Sequence, residues 1–168
     1  AAFLDYALAA NVSAIPLSKA KYTMILSEQG GIIDDLIVYQ NAPGEYLVVA
    51  NASNRHVVIE KLTERITGFD AAIVDGTDAV ALIAVQGPNA RAILEATPGL
   101  DAAPEWAMGH DLEELPYYAC MGMRFQGKAL LVGRTGYTGE DGFELFVDAA
   151  QAAALWTVLM AAGEPFGL

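Results

Sequence analysis

The sequence predicts an α+β fold made of two segments, each with a mainly antiparallel sheet. Three observations carry that reading. Short apolar runs with period-two alternation recur along the chain, as in Lys21–Ser27 (KYTMILS) and Ile32–Gln40 (IIDDLIVYQ). They are joined by tight Gly-, Pro- and Asn-containing turns such as Glu28-Gln29-Gly30-Gly31, which suit hairpins and not parallel crossovers. Helical stripes fall before and after these strand clusters instead of between single strands, the pattern of a layered α+β sandwich.

Taken in order, the alanine- and leucine-rich run Ala2–Ala10 reads as a helix. Lys21–Ser27 and Ile32–Gln40 then form a hairpin, and Asn41-Ala42-Pro43-Gly44 turns into a third strand, Tyr46–Ala50. Asn51-Ala52-Ser53 supplies N-cap candidates for a helix running to about Thr67, with Val58, Leu62 and Ile66 as its buried stripe and Gly68 as its stop. Ala71–Val74 could return to the sheet as a strand. Residues 1–75 are thereby expected to form a ferredoxin-like α+β segment.

In residues 76–168 the apolar run Ala79–Val85 reads as a buried strand, and Pro88 sits in the first turn of a helix that buries Ile93 and Leu94. Pro98, Pro104 and Pro116 mark residues 98–116 as irregular connection with at most a short helix. Tyr117–Phe125 and Lys128–Val132 form a hairpin about Gln126-Gly127. A strand at Phe143–Val147 follows, and Asp148 caps a last helix, Ala149–Ala162, with Leu155 and Leu159 inward.

Composition narrows the function. The 168 residues are 54% hydrophobic and 18% charged, a globular balance. A net charge of −12 opposes nucleic-acid binding, which needs Lys and Arg against phosphates. No apolar run approaches the roughly 18 residues of a membrane span. The acidic stretch holding Asp101, Glu105, Asp111, Glu113 and Glu114 is a solvated loop or, alternatively, meets a basic partner. Cys120, the only cysteine, lies in an apolar run and reads as a core thiol, which suits a reducing, cytoplasmic setting. His56 and His110 stand apart from any ligand spacing, so no metal site is expected, and no phosphate-binding glycine loop or serine elbow occurs.

Two stretches carry chemistry. Four glycines (Gly133, Gly136, Gly139, Gly142) lie within ten residues, together with Tyr137, Glu140 and Asp141, between two strands. A plain hairpin needs two to five loop residues, so the excess suits close approach of a ligand; the alternative is a long surface hairpin with solvated acids. The pair Asp34-Asp35 interrupts an apolar strand, and alternation sends the two carboxylates to opposite faces, so they cannot pair on one atom. If Ile33 and Ile37 face the core, Asp35 shares their side, a costly place for an unpartnered carboxylate, while Asp34 faces outward with Leu36 and Val38. If the alternation slips, both acids sit near a solvent-facing edge.

These stretches resemble a known family. Gly30–Tyr39 (GGIIDDLIVY) is similar to the GGxxDDLIVY stretch of aminomethyltransferases, the T-proteins of the glycine cleavage system. Val49–Asn54 (VANASN), Gln86-Gly87-Pro88 and Gly136–Glu144 (GYTGEDGFE) match further family motifs in the same order. The resemblance implies a T-protein-like folate-binding fold. It also implies an enzyme that takes an aminomethyl group from a lipoyl carrier protein (H-protein), releases ammonia and passes the one-carbon unit to tetrahydrofolate. It places the catalytic acid at Asp35 and the acceptor for the pterin amino edge at Glu144. Tyr137 and Tyr39 would line the folate cleft, with Asn51 as a further contact. Family members run about twice this length, so the chain is expected to be a central fragment that binds folate more weakly than the longer protein. A folate-binding regulatory or repair module without transfer activity is the alternative, and an acidic interaction domain with no ligand a third.

Overall fold

The computed structural model describes residues 1–103 and 111–168. Pro104, Glu105, His110 and any short helix expected there lie outside the described residues. The chain divides into two compact units, Ala1–Asp75 and Gly76–Leu168.

In the first unit α1 (Ala2–Ala7) precedes three strands, β1 (Ala20–Leu26), β2 (Ile32–Ala42) and β3 (Glu45–Ala50), and α2 (Arg55–Arg65) follows them. The strands form an antiparallel meander in the order β1-β2-β3. Gly30 and Gly44 take φ of +82° and +78°, the left-handed turn conformation that an L side chain resists. Leu36 and Val38 of β2 pack with Ile25, Val58, Leu62 and the α1 side chains Phe3, Leu4 and Ala7. Burying each large aliphatic side chain contributes about 1.5–3 kcal/mol. Arg65 closes α2 by donating to the carbonyls of Ala7 and Leu26. Residues 71–74 form no strand, and Val74 is exposed, since only Ile73 of that stretch packs against the core. The unit thus contributes three strands, where a ferredoxin-like βαββαβ unit has four.

The second unit holds β4 (Val80–Gln86), α3 (Ala90–Ala96), β5 (Leu100–Ala102), β6 (Cys120–Phe125), β7 (Lys128–Gly133), β8 (Gly142–Asp148) and α4 (Ala152–Gly163). Among the described residues its five strands run in the order β4-β8-β7-β6-β5, with every neighbouring pair antiparallel. β5 falls inside a stretch expected to be irregular: three residues flanked by proline and glycine carry too short an alternation to be seen. Phe143, Leu145 and Val147 of β8 enter the core with Ile83, Val85, Val132, Leu94, Leu155 and Leu159. Asp148 accepts a hydrogen bond from the Ala150 amide at 2.8 Å and so caps the turn that leads into α4.

Candidate functional site

In the first unit the acid pair of β2 meets the segment after β3. Leu36 of β2 pairs with Ala50, the last residue of β3, so Asp34 and Asp35 lie beyond the ladder. Asn51 takes up that gap. Its backbone N–H donates to Asp34 Oδ2 at 3.1 Å, and its Nδ2 donates to Asp34 Oδ1 and Asp35 Oδ1, each at 2.9 Å. The pairing of β1 with β2 steps from Ile25↔Asp34 to Leu26↔Ile32, which leaves Ile33 as a bulge. The carbonyl of Ile33 accepts from Asn54 Nδ2 at 2.8 Å, and the same amide reaches Asp34 Oδ1 at 3.3 Å.

The faces are the reverse of the simple alternation. Asp34 is 5% exposed and shares the buried side with Leu36 and Val38, whereas Asp35 is exposed. The expectation that Asp35 shares the core face is therefore corrected. Both parities of this strand are apolar, so Ile33 and Ile37 gave no reliable sign of which side is covered. The expectation that the two carboxylates cannot meet on one atom is corrected as well, because the Asn51 amide bridges them across the strand end. Asp35 is nonetheless well placed to act on a ligand. Tyr22, its diagonal neighbour on β1, donates from its hydroxyl to Asp35 Oδ2 at 2.9 Å, and Asn51 holds Oδ1. An accessible carboxylate fixed at both oxygens is preorganised to stabilise positive charge. Tyr22 escaped the sequence reading; its place opposite the acid pair in the hairpin was the available signal. Tyr39, expected to line the cleft, is fully buried in this unit.

In the second unit the glycine-rich loop joins β7 to β8. Arg134 grips its far end: Nε and Nη2 donate to Asp141 Oδ1 and Oδ2 at 2.9 and 2.7 Å. Nη1 donates to the Leu115 carbonyl at 2.7 Å, and the guanidinium lies over the Phe143 ring. This bidentate contact holds the Asp141 carboxyl below its usual range. Asp141 is thus a structural acid, while Glu140 at the tip is exposed, as the solvated-hairpin alternative has it.

Glu144 differs from both. It lies on β8 opposite Gly133 and Ala84, on the face away from Phe143 and Leu145, and is 8% exposed. The buried hydroxyl of Thr135 donates to its Oε2. Tyr118 is nearby, with φ of +56°, held there by N–H donation to the Arg134 carbonyl at 3.0 Å. Burial raises the Tyr118 phenol pKa, and Tyr117 and the charge of Glu144 push it the same way. A bulky residue in the left-handed region is a strained feature of the kind that gathers at functional sites. Nothing in the local sequence flags it. Tyr137, at the exposed part of the loop, is 97% exposed. A buried carboxylate beside a hydroxyl and a phenol can accept from a planar N–H edge.

Residues 1–168 match the family model described as the GCVT N-terminal domain. A protein of Streptomyces avermitilis named aminomethyltransferase is 52% identical over the whole chain, which spans 42% of that relative. A Thermotoga maritima protein of the same name is 39% identical over 94% of the chain and 41% of its own length. Among solved structures, glycine cleavage system aminomethyltransferase T of Bartonella henselae superposes with a TM-score of 0.76 at 32% identity, covering 95% of this chain and 40% of that one. Heterotetrameric sarcosine oxidase of Corynebacterium sp. U-96, in complex with pyrrole 2-carboxylate, shares the fold with a TM-score of 0.62 at 15% identity over 92% of this chain and 69% of that one.

Proposed function

The chain belongs to the GCVT N-terminal domain family, and from that membership we propose that it is the corresponding part of an aminomethyltransferase of glycine cleavage. The observation that carries the proposal is the exposed Asp35 carboxylate, held at one oxygen by Tyr22 and at the other by Asn51, within the motif that the family resemblance rests on. The chain spans about 42% of the length of the relatives it matches, so the reaction is that of the longer protein.

The one-carbon donor is an aminomethyl thioether on a lipoyl carrier protein, and the acceptor is tetrahydrofolate. The C–N bond to ammonia and the C–S bond to the lipoyl arm break; two C–N bonds form to folate nitrogens, which lose their protons, and the lipoyl sulfur leaves as a thiol. A folate nitrogen gains positive character as it attacks the incoming carbon. Asp35 stabilises that charge, an electrostatic role worth about 3–4 kcal/mol for one strong contact. Glu144 accepts from the amino and ring N–H edge of the pterin, which fixes the heterocycle's orientation. Asn51 acts through the two carboxylates it bridges. Among the described residues no helix is long and apolar enough to cross a membrane, and a cytoplasmic setting fits the buried Cys120.

Ammonia release tests the reading. The full-length protein, given the aminomethylated lipoyl carrier and tetrahydrofolate, should release ammonia and form methylenetetrahydrofolate together. Folate binding without ammonia release would instead support a regulatory or repair module.

A further inference from the structure

One side chain at the neck of the glycine-rich loop has no part in the chemistry above. Gln86 ends β4, where it pairs with Gly142. Its Nε2 donates to the carbonyls of Thr135 at 3.1 Å and Phe143 at 3.3 Å, and its Oε1 lies 3.5 Å from the Thr138 hydroxyl. The amide sits between two glycines. A Cβ on Gly136 would lie 2.2 Å from Gln86 Oε1, and one on Gly142 would lie 2.1 Å from it. Real Cβ contacts do not come that close, so the spacing of these glycines shapes a seat for the glutamine amide.

What Gln86 touches makes it more than a loop staple. Thr135 is the residue whose hydroxyl donates to Glu144, and Phe143 is the residue that precedes Glu144. Thr135 is 1% exposed, so its side chain has little freedom once its carbonyl is held. The amide therefore fixes both the hydroxyl that orients the carboxylate and the backbone that bears it.

We propose that Gln86 and Thr135 are positioning residues for Glu144, and that together they set the affinity for a heterocycle presenting an amino group beside a ring N–H. The inference rests on the reading of Glu144 as the acceptor for that edge. Without the hydroxyl the carboxylate regains side-chain freedom, which binding must then remove.

The test is a double-mutant cycle on tetrahydrofolate binding in the full-length protein, measured by calorimetry with thermal unfolding as the control. Thr135→Val keeps the shape and removes the hydroxyl, so in protein that the unfolding control shows to be folded at the assay temperature, binding should weaken roughly tenfold. Thr135→Ser restores the hydroxyl and should bring binding back to within about twofold of wild type. In a Glu144→Gln background, Thr135→Val should cost less than about twofold more, because the group it positions is already lost. Gln86→Ala should weaken binding in the same direction; if that variant does not fold, the Thr135 arms decide alone. Wild-type affinity in Thr135→Val, or the same tenfold loss in both backgrounds, overturns the inference. Wild-type affinity in Glu144→Gln alone overturns the reading of Glu144 and this inference with it. A weakened Glu144→Gln beside an unaffected Thr135→Val removes this inference only.

Discussion

Replacing Asp34 by Asn should unfold the first unit far more readily than replacing Asp35, although the two acids are neighbours of identical chemistry. Three N–H contacts converge on the Asp34 carboxylate, from the Asn51 backbone at 3.1 Å, Asn51 Nδ2 at 2.9 Å and Asn54 Nδ2 at 3.3 Å. Asn keeps the volume but turns one acceptor oxygen into an NH2 group, so in either orientation at least one of these donors faces another donor. Hydrogen bonds to charged groups contribute about 1.5–3 kcal/mol each, and a buried unsatisfied group costs about 1–3 kcal/mol. The contacts share two oxygens and the longest is weak, so their sum is not additive, and a net loss of about 2–3 kcal/mol is expected. For a unit of this size that corresponds to a fall of roughly 10–20 °C in melting temperature. Both tryptophans, Trp106 and Trp156, belong to residues 76–168, so tryptophan emission tracks the second unit and amide hydrogen exchange on β2 tracks the first. Asp35→Asn should leave β2 protection within about 1 kcal/mol of wild type, since its carboxylate is exposed. In the full-length enzyme it should slow methylenetetrahydrofolate formation about a hundredfold with folate affinity little changed. Wild-type protection in Asp34→Asn, or loss of protection in Asp35→Asn instead, would refute the assignment of one acid to structure and the other to chemistry.

Glu144→Gln removes a charged acceptor and should weaken tetrahydrofolate binding by about 1–3 kcal/mol, read by calorimetry on a folded variant. Gly142→Ala drives a methyl group into the Gln86 amide and should cost about 1–3 kcal/mol in urea unfolding of the second unit; an unchanged midpoint would show that Gln86 moves aside freely. The Asp141 carboxyl has a lowered pKa in the folded chain, so its pairing with Arg134 stabilises the fold above the unfolded carboxyl pKa of about 3.9 and is lost as pH falls through the lower folded value. With the Asp141 side chain 39% exposed the effect is under about 1 kcal/mol, and Asp141→Asn should flatten the pH dependence of unfolding below about pH 4.

The strands that the sequence reveals are those whose burial follows a single parity or whose turns are marked by glycine: β7, β8 and the hairpin of β1 and β2 lie within a residue or two of their expected positions. The acid pair was visible for the same reason, as a break in an apolar run. Its orientation was not, because β2 is apolar on both parities and the choice of face is made by side chains far along the chain, Val58 and Leu62 of α2 among them. The bridging by Asn51 depends on where β3 stops relative to β2, a register that no local pattern encodes. The loop shows the same division. Its glycines announce an unusual backbone, yet their spacing is explained by Gln86, which arrives from β4 some fifty residues earlier. The site residues thus come in two kinds. The Asp34-Asp35 pair and Glu144 interrupt apolar strands and are legible as a break in the pattern, and the cost of desolvation falls on Asp34 and Glu144, the two that are buried. Tyr22, Asn54, Gln86 and Thr135 supply the compensation within each unit, and as ordinary polar residues they acquire meaning only once the sheet register places them against an acid or against the backbone that carries it.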